Sequence, residues 1–321
     1  MSRLIALLAA LLPLFTAVAQ AQTYPDRIVR LIVPFPPGGA TDVTARLFAT
    51  ELTSMLGQTV LVENRPGASG AIGIDQVAKS APDGYTLGVS GVGPTAVLPI
   101  IDPRLPYDPA RDLDIVAGLS AVDFILVTRP GFAPATLGEL IAYAKANPGK
   151  VTYSSAGVAG PQQLMIEHLA MLSGIKLFHV PYAGDSPAVA AVAAGEVDIA
   201  LAGAASALGL VKAGKLKALA AGGQRLAALP DLPTVAELTG FADFTGYTWN
   251  ILVAPRGTPA AIVARLNTAV AEASRLPAIH EKLQSLGLRL MPGSAQQIAD
   301  VVAADTARYR RIIEATGIKR E

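Results

Sequence analysis

The sequence contains no cysteine. That excludes disulfides, thiolate metal sites, cysteine nucleophiles and a lipidated N-terminal cysteine. Its 321 residues include three histidines, His168, His179 and His280, too few for a His-rich metal centre. Charged residues are scarce at 16%, and 26 Lys and Arg balance 25 Asp and Glu for a net charge of +1. Such a balance gives no electrostatic footprint for nucleic acid. The sequence also lacks a G-x-x-x-x-G-K-[ST] phosphate loop, an H-E-x-x-H zinc motif and a G-x-S-x-G nucleophile elbow. Gly91-Val92-Gly93 is without the third glycine of a dinucleotide fingerprint, and Pro94 follows at once. Gly67-Ala68-Ser69-Gly70 falls one residue short of the elbow.

What the chain has is apolar residues, 51% of the total. That is ample surface to offset chain entropy, so disorder is not expected. At roughly 100–200 residues per domain, the length suits two domains or one large one. The N-terminus carries one early positive charge, Arg3, then an unbroken apolar run from Leu4 to Phe15. This run is too short to span a bilayer and suits the hydrophobic region of a secretory signal. Small residues follow at cleavage spacing, Ala17-Val18-Ala19 and Ala19-Gln20-Ala21. Residues 1–21 are therefore expected to be a signal peptide, cut after Ala19 or Ala21. The exported remainder is expected in the periplasm, not inserted in the membrane, and indifferent to redox poise.

The rest alternates strand and helix patterns. Strands are expected at Arg27–Phe35, Thr59–Glu63, Tyr85–Ser90, Val151–Ser154, Leu177–Val180, Val197–Leu201, Leu216–Ala221 and Tyr247–Ala254, with one or two extended segments in Ile115–Arg129. Helices are expected at Asp42–Leu56, with Val43, Leu47, Phe48, Leu52 and Met55 on its apolar face, and at Gly70–Lys79, Thr136–Ala146, Pro161–Leu172, Pro187–Ala194 and Ala204–Ala213. Three more follow, Pro259–Arg275, Pro277–Leu286 and Ser294–Thr316. Thr136 with Glu139 and Ser294 with Gln297 have capping-box spacing. The alternation argues for an α/β fold with largely parallel sheets, where ligands sit outside the carboxyl ends of strands.

Those strand ends are loops of Gly, Ser, Thr and Pro that open into helices. In Phe35-Pro36-Pro37-Gly38-Gly39-Ala40-Thr41, Gly38 and Gly39 allow close backbone approach, with positive φ expected at Gly39. Thr41 is the expected N-cap, and the free amides of the first turn form an anion site without a cationic side chain. Ser154-Ser155-Ala156-Gly157 has the same design, with Pro161 at the first helical position. Asn64 and Ser90, at neighbouring strand ends, complete the candidate set together with Asp185. Asp185 or Ser186 is expected to cap the next helix; a base or an ammonium partner are the other readings of Asp185. Each loop by itself is also explained as ordinary turn chemistry, and it is their recurrence that points to a ligand. His168 is expected on a partly polar surface, His179 in a structural role and His280 in solvent. Trp249 is expected in the core, with a ligand platform as the other reading. Neither Ser155 nor Ser69 has a visible base, which disfavours a serine hydrolase.

Several runs carry a resemblance. They include Val33-Pro34-Phe35-Pro36-Pro37-Gly38-Gly39-Ala40-Thr41-Asp42, Val62-Glu63-Asn64-Arg65-Pro66-Gly67, Pro82-Asp83-Gly84-Tyr85-Thr86-Leu87 and Tyr153-Ser154-Ser155-Ala156-Gly157. Later come His179-Val180-Pro181-Tyr182, Gly195-Glu196-Val197-Asp198, Leu229-Pro230-Asp231-Leu232-Pro233-Thr234 and Ala254-Pro255-Arg256-Gly257-Thr258-Pro259. In this order the chain resembles the Bug family of extracytoplasmic solute receptors, the substrate-binding proteins of tripartite tricarboxylate transporters. The resemblance implies a type II periplasmic binding protein with two α/β lobes and a ligand cleft between them. Lobe 1 would hold Gln22–Ala121 and Thr248–Glu321, and lobe 2 Val122–Tyr247. It implies a non-enzymatic receptor, a monomer without cofactor or metal, that holds a small carboxylate and delivers it to the membrane permease subunits. Presentation to a sensor kinase is the alternative within binding functions. Gln162-Gln163 stand where many members have a His, and Ala183 where a Lys or Arg commonly follows the Val-Pro-Tyr run. A less positive pocket follows, suited to an amino acid, a keto acid or a neutral amide more than to a tricarboxylate.

The export reading has a direct check. The mature protein should begin at Gln20 or Gln22 and fractionate with the periplasm; N-terminal sequencing that retains Leu4–Phe15 would overturn it.

Overall fold

Each apolar, β-branched run near the start of the chain becomes a strand, and each small-residue loop after it opens into a helix. The computed structural model describes residues 24–319, and the expected signal peptide lies outside them. The order begins with β1 (Val29–Val33), α1 (Ala40–Leu56), β2 (Val60–Asn64), α2 (Ala71–Ala78) and β3 (Thr86–Gly91). β1 pairs in parallel with both β2 and β3. A wide helical turn at Gly93–Val97 runs into α3 (Leu98–Ile101), where the sequence promised only a broken glycine loop. α4 (Pro109–Asp112) leads into β4 (Leu113–Thr128). β4 is a single strand of 16 residues, about 50 Å long at ~3.3 Å per residue.

The middle of the chain repeats the first pattern. α5 (Leu137–Ala146), β5 (Thr152–Ser155), α6 (Pro161–Ser173), β6 (Phe178–Pro181), α7 (Asp185–Ala194) and β7 (Ile199–Gly203) follow. β5 pairs in parallel with β6 and β7. Then come α8 (Ala204–Lys212), β8 (Lys217–Ala221) and α9 (Val235–Thr239), whose Thr234–Glu237 capping box escaped the sequence reading. The chain returns through β9 (Tyr247–Pro255), α10 (Ala260–Ala273), α11 (Pro277–Ser285), β10 (Leu288–Leu290) and α12 (Ala295–Thr316).

The α/β class is the expected one, but the sheet is parallel only in its two flanks. Among the described residues the strand order is β2-β1-β3-β9-β4-β7-β5-β6, with β10 and β8 also on β4. β9 runs antiparallel to β3 and β4, and β4 antiparallel to β7, β8 and β10. β-α-β crossovers make the parallel flanks, the connection that parallel neighbours require. The two long strands that link the flanks, β4 and β9, carry no such crossover and run antiparallel to each other, β9 against β3 and β4 against β7. From Leu113 to Asp123 β4 pairs with β9; from Phe124 to Thr128 it pairs with β7.

The capping residues follow local rules unevenly. Ser294 and Gln297 form the complete box expected for α12. Thr136 accepts from the Glu139 amide at 3.2 Å, but the Glu139 carboxylate turns to the Ala135 amide at 2.6 Å. The face that α1 buries is Ala45, Phe48, Ala49, Leu52 and Leu56, while Val43, Leu47 and Met55 are half-exposed. The helix is thus turned by about one residue from expectation. Alanines let it lie close on the sheet, where it packs with Leu31, Val33, Leu87 and Val89.

Two contacts at the centre of the molecule hold the linking strands. Trp249 on β9 is fully buried, and its Nε1 donates to Asp305 Oδ2 at 2.9 Å. Asp305 lies within the apolar stripe of α12 and also receives Arg308, which donates in turn to Thr245 Oγ1 at 3.0 Å. This network is the reason the stripe of α12 contains a carboxylate. Beside it, Phe124 N donates to Gly246 O at 3.0 Å and Gly222 N to Phe124 O at 2.8 Å. A Cβ on Gly222 would stand 2.6 Å from Gly246 O and 2.8 Å from Gly246 Cα, so two backbones touch there.

Gly222→Ala should therefore destabilise the protein by about 1–3 kcal/mol through overpacking. Gly209→Ala, in α8 with open space around its Cβ, should instead stabilise by about 0.4–1 kcal/mol. Urea unfolding of the two variants checks the contrast, and equal midpoints would contradict it.

Candidate functional site

A cavity of about 460 Å³ opens where the ends of β1, β3 and β5 approach the linking strands. Phe35 lines it from the β1–α1 loop, Ala40 and Thr41 from the start of α1, Ala156 to Gly160 from the β5–α6 loop and Pro161 from the start of α6. Val92, Val97, Leu98 and Ile101 come from the segment after β3. β4 supplies Val122, β9 supplies Thr248, Trp249 and Asn250, and Ser69 completes the wall. Among the described residues none of the lining side chains is charged.

Two helices begin at this cavity, α1 and α6. The first amides of a helix have no carbonyl partner inside it and carry the positive end of its dipole. The loop before α1 is shaped by one buried carboxylate. Asp42 accepts from Gly38 N at 2.9 Å, Arg46 Nε at 3.0 Å and Asn64 Nδ2 at 2.8 Å. Burial alone would raise its pKa, but the hydrogen bonds from Arg46, Gly38 and Asn64 outweigh it and hold the group below the usual carboxylate range. Positive φ falls on Gly38, at +88°, and Gly39 is extended, which reverses the expectation for Gly39.

Thr41 does not cap α1. Gly39 takes the N-cap position, and Thr41 Oγ1 donates instead to Asn250 Oδ1 on β9 at 2.8 Å. Asn250 Nδ2 reaches Ser120 Oγ at 3.1 Å, and Ser120 lies 2.9 Å from Thr44 Oγ1. The start of α1 is thus pinned to both linking strands. Before α6 the loop carries left-handed residues, Gly157 at φ +141° and Ala159 at φ +56°. Ala159 is held there by its amide, which donates to Gln163 Oε1 at 2.6 Å. Such a conformation is costly for a residue with a Cβ and persists where the surroundings impose it.

Of the residues singled out from the sequence, Phe35, Thr41 and Gly157 line the cavity. Gly38 and Gly39 lie in the same loop but outside the lining. Asn64 stands behind that loop, donating to Phe35 O at 3.0 Å as well as to Asp42. Ser90 is buried against Thr95 at 2.6 Å, and Ser154 donates to Ala188 O at 2.8 Å. Asp185 does not cap α7: Gly184 takes the N-cap, and the Asp185 carboxylate accepts from Gln162 Nε2 at 3.3 Å and Gly203 N at 3.4 Å. Asn250 escaped the sequence reading, although a lone amide in the apolar run of β9 was a usable signal.

Ser155 has the partner that the sequence did not reveal. Its Oγ lies 2.6 Å from His179 Nε2 and 2.8 Å from Gly157 O. Ser155 is buried and His179 half-buried, and neither lines the cavity. His179 stacks on Tyr153 with ring centroids 4.9 Å apart, and the Tyr153 hydroxyl donates to Glu167. The arrangement braces the turn at Gly157. His168 is also buried, against expectation, because residues 241–245 fold over it: Phe244 stacks at 6.1 Å and Asp243 Oδ2 lies 3.8 Å from Nε2.

Burial lowers the pKa of both His168 and His179. For His168 the loss of solvation outweighs the attraction of Asp243, and Arg308 and Arg311 add to the lowering. The unfolded chain then binds more protons than the folded one below about pH 6.5. Stability should be complete above that pH and fall as the pH drops toward the folded values, at most about 1.4 kcal/mol per pH unit for each group. Urea midpoints between pH 8 and 5 should show the slope, and His168→Phe should flatten it; an unchanged slope would contradict the assignment.

Comparison with known proteins agrees with this architecture. The family described as "Tripartite tricarboxylate transporter family receptor" (TctC) matches residues 44–318. Protein BugT of Bordetella pertussis is 37% identical over 305 residues, covering 94% of this chain and 93% of its own. A Rhodopseudomonas palustris protein solved with adipate is 33% identical with a TM-score of 0.78, covering 92% of this chain and 99% of its own. MatC of Rhodopseudomonas palustris, solved with bound malate, is 32% identical with a TM-score of 0.74, covering 90% and 100%. Family and structural neighbours are solute-binding receptors rather than enzymes. The chain, with its two helix N-termini at one uncharged cavity, belongs to the tripartite tricarboxylate transporter receptor family.

Proposed function

We propose that this protein is a periplasmic receptor that captures a small carboxylate in the cavity and delivers it to the permease subunits of a tripartite tricarboxylate transporter. The observation that carries the reading is the convergence of α1 and α6 N-termini on one cavity with no charged lining residue. A carboxylate can be held there by main-chain amides and helix dipoles alone. The adipate and malate bound by the two Rhodopseudomonas proteins are such anions. The lobes are assigned as residues 22–121 with 248–321, and 122–247. The change of pairing partner along β4 at Asp123–Phe124 supports that division. Closure of one lobe on the other would bury the ligand and form the face that docks on the permease.

The test uses the exposed Ala40, which opens α1 at the cavity. Ala40→Asp puts a negative charge where acids suit the helix dipole, so the fold should hold. The same charge competes with a ligand carboxylate and should weaken binding by about 10- to 1,000-fold, given ~4 kcal/mol for like charges 4 Å apart at a dielectric of about 20. Ala40→Asn, its neutral match, should bind within about threefold of the parent, since it adds no charge. Calorimetry with benzoate, hexanoate, adipate, malate and citrate supplies the readout. Equal affinities of the two folded variants would overturn the anion site.

A further inference from the structure

The cavity wall is more apolar than a polyanion requires. Val92, Val97, Leu98 and Ile101 come from one segment, and Val122 and Val158 extend the wall from β4 and the β5–α6 loop. Three of the five polar side chains at the cavity are committed to other partners, and the Ser69 and Thr248 hydroxyls, both uncharged, are the other two. Thr41 donates to Asn250, Asn250 to Ser120, and Trp249 to Asp305. Two helix starts can serve one carboxylate, but no lysine, arginine or histidine among the described residues lines the cavity to meet a second. An ionised group without a partner is costly to take out of water. A carboxylate near the Val122 wall is of the wrong sign for a second anion. A Cβ placed on Gly203 would lie 2.9 Å from Asp185 Oδ2 and 3.9 Å from Val122 Cγ1, so this carboxylate stands beside the wall.

We infer that the ligand is a monocarboxylate with an uncharged, apolar body, its carboxylate at the helix starts and its body against the valine, leucine and isoleucine wall. The inference rests on the receptor reading and narrows it. It sets this chain apart from relatives solved with dicarboxylates, adipate and malate. A volume of about 460 Å³ leaves room for a six-carbon chain or a substituted ring beyond the carboxylate. Val158, 41% exposed on the wall, is the position where a new cation costs the fold least.

Length-matched pairs test it by calorimetry on the mature protein: hexanoate against adipate, and 4-methylbenzoate against terephthalate. In at least one pair the monocarboxylate should bind, and in no pair should the dianion bind tighter. The bound monoanion should exceed its dianion at least tenfold. From butyrate to hexanoate the affinity should rise about fourfold per methylene. Val158→Lys should move the adipate-to-hexanoate ratio at least tenfold toward adipate. Tighter binding of the dianion in either pair overturns the inference and leaves the receptor reading standing. Binding of hexanamide equal to hexanoate overturns the carboxylate site itself. Failure of these four ligands, malate and citrate to bind the folded parent overturns the receptor reading.

Discussion

β4 hydrogen-bonds to both flanks of the sheet, and the position of the cavity depends on that. Its first stretch satisfies its amides and carbonyls on β9, and its last five residues on β7 and β8. Buried backbone groups have to be paired, so neither flank can slide along β4 without orphaning a row of donors and acceptors. The loops after β1, β3 and β5 therefore reach the same space at a fixed spacing. The side-chain chain Thr41–Asn250–Ser120–Thr44 then fixes the start of α1 on this frame. A one-residue slip of β4 would turn Ser120 away from Thr44 and carry Val122 off the wall.

Charge is kept near the cavity but out of it. Asp42 faces backward into Gly38, Arg46 and Asn64. Asp305 is taken by Trp249 and Arg308, and Asp123 is paired with Arg289 at 2.9 Å. Each of these acids shapes a loop or strand whose uncharged surface meets the ligand space. On the proposed function, anion selection would be left to oriented peptide dipoles, which need no counter-charge of their own and cost no reorganisation. Fixed dipoles of this kind discriminate by where they point, so on that reading the conformation of Gly38 and of Ala159 would shape the binding chemistry.

How far the sequence was legible follows the range of the interaction involved. Ser294 and Gln297 are three residues apart and formed the box expected of them. The strands and helices of the flanks are set by local periodicity and appeared close to their expected places. Thr41 has the same local signature as Ser294, but Asn250 competes for its hydroxyl from far along the chain, and that competition leaves no local mark. The Ser155–His179 pair is hidden for the same reason, since it forms across the ladder of β5 and β6. Asp185 was misread because α7 begins two residues before Pro187, on Gly184. Trp249 was correctly placed in the core, yet its edge still reaches the cavity, because a linking strand has the core on one side and the ligand space beside it.

The ladder between β3 and β9 joins Gly88 to Val253, and that between β4 and β10 joins Val122 to Leu288. The first flank is therefore finished by the last strands to be synthesised. Pairings this distant close large loops and slow the search for the native state. A ribosome releasing this chain from its N-terminus delivers β1, β2 and β3 with one edge open and Trp249 still to come. On the proposed reading, in which the protein is exported, slowness of this kind would have a use. It would hold the nascent polypeptide loose until translocation had begun, and leave completion to the compartment where the molecule works.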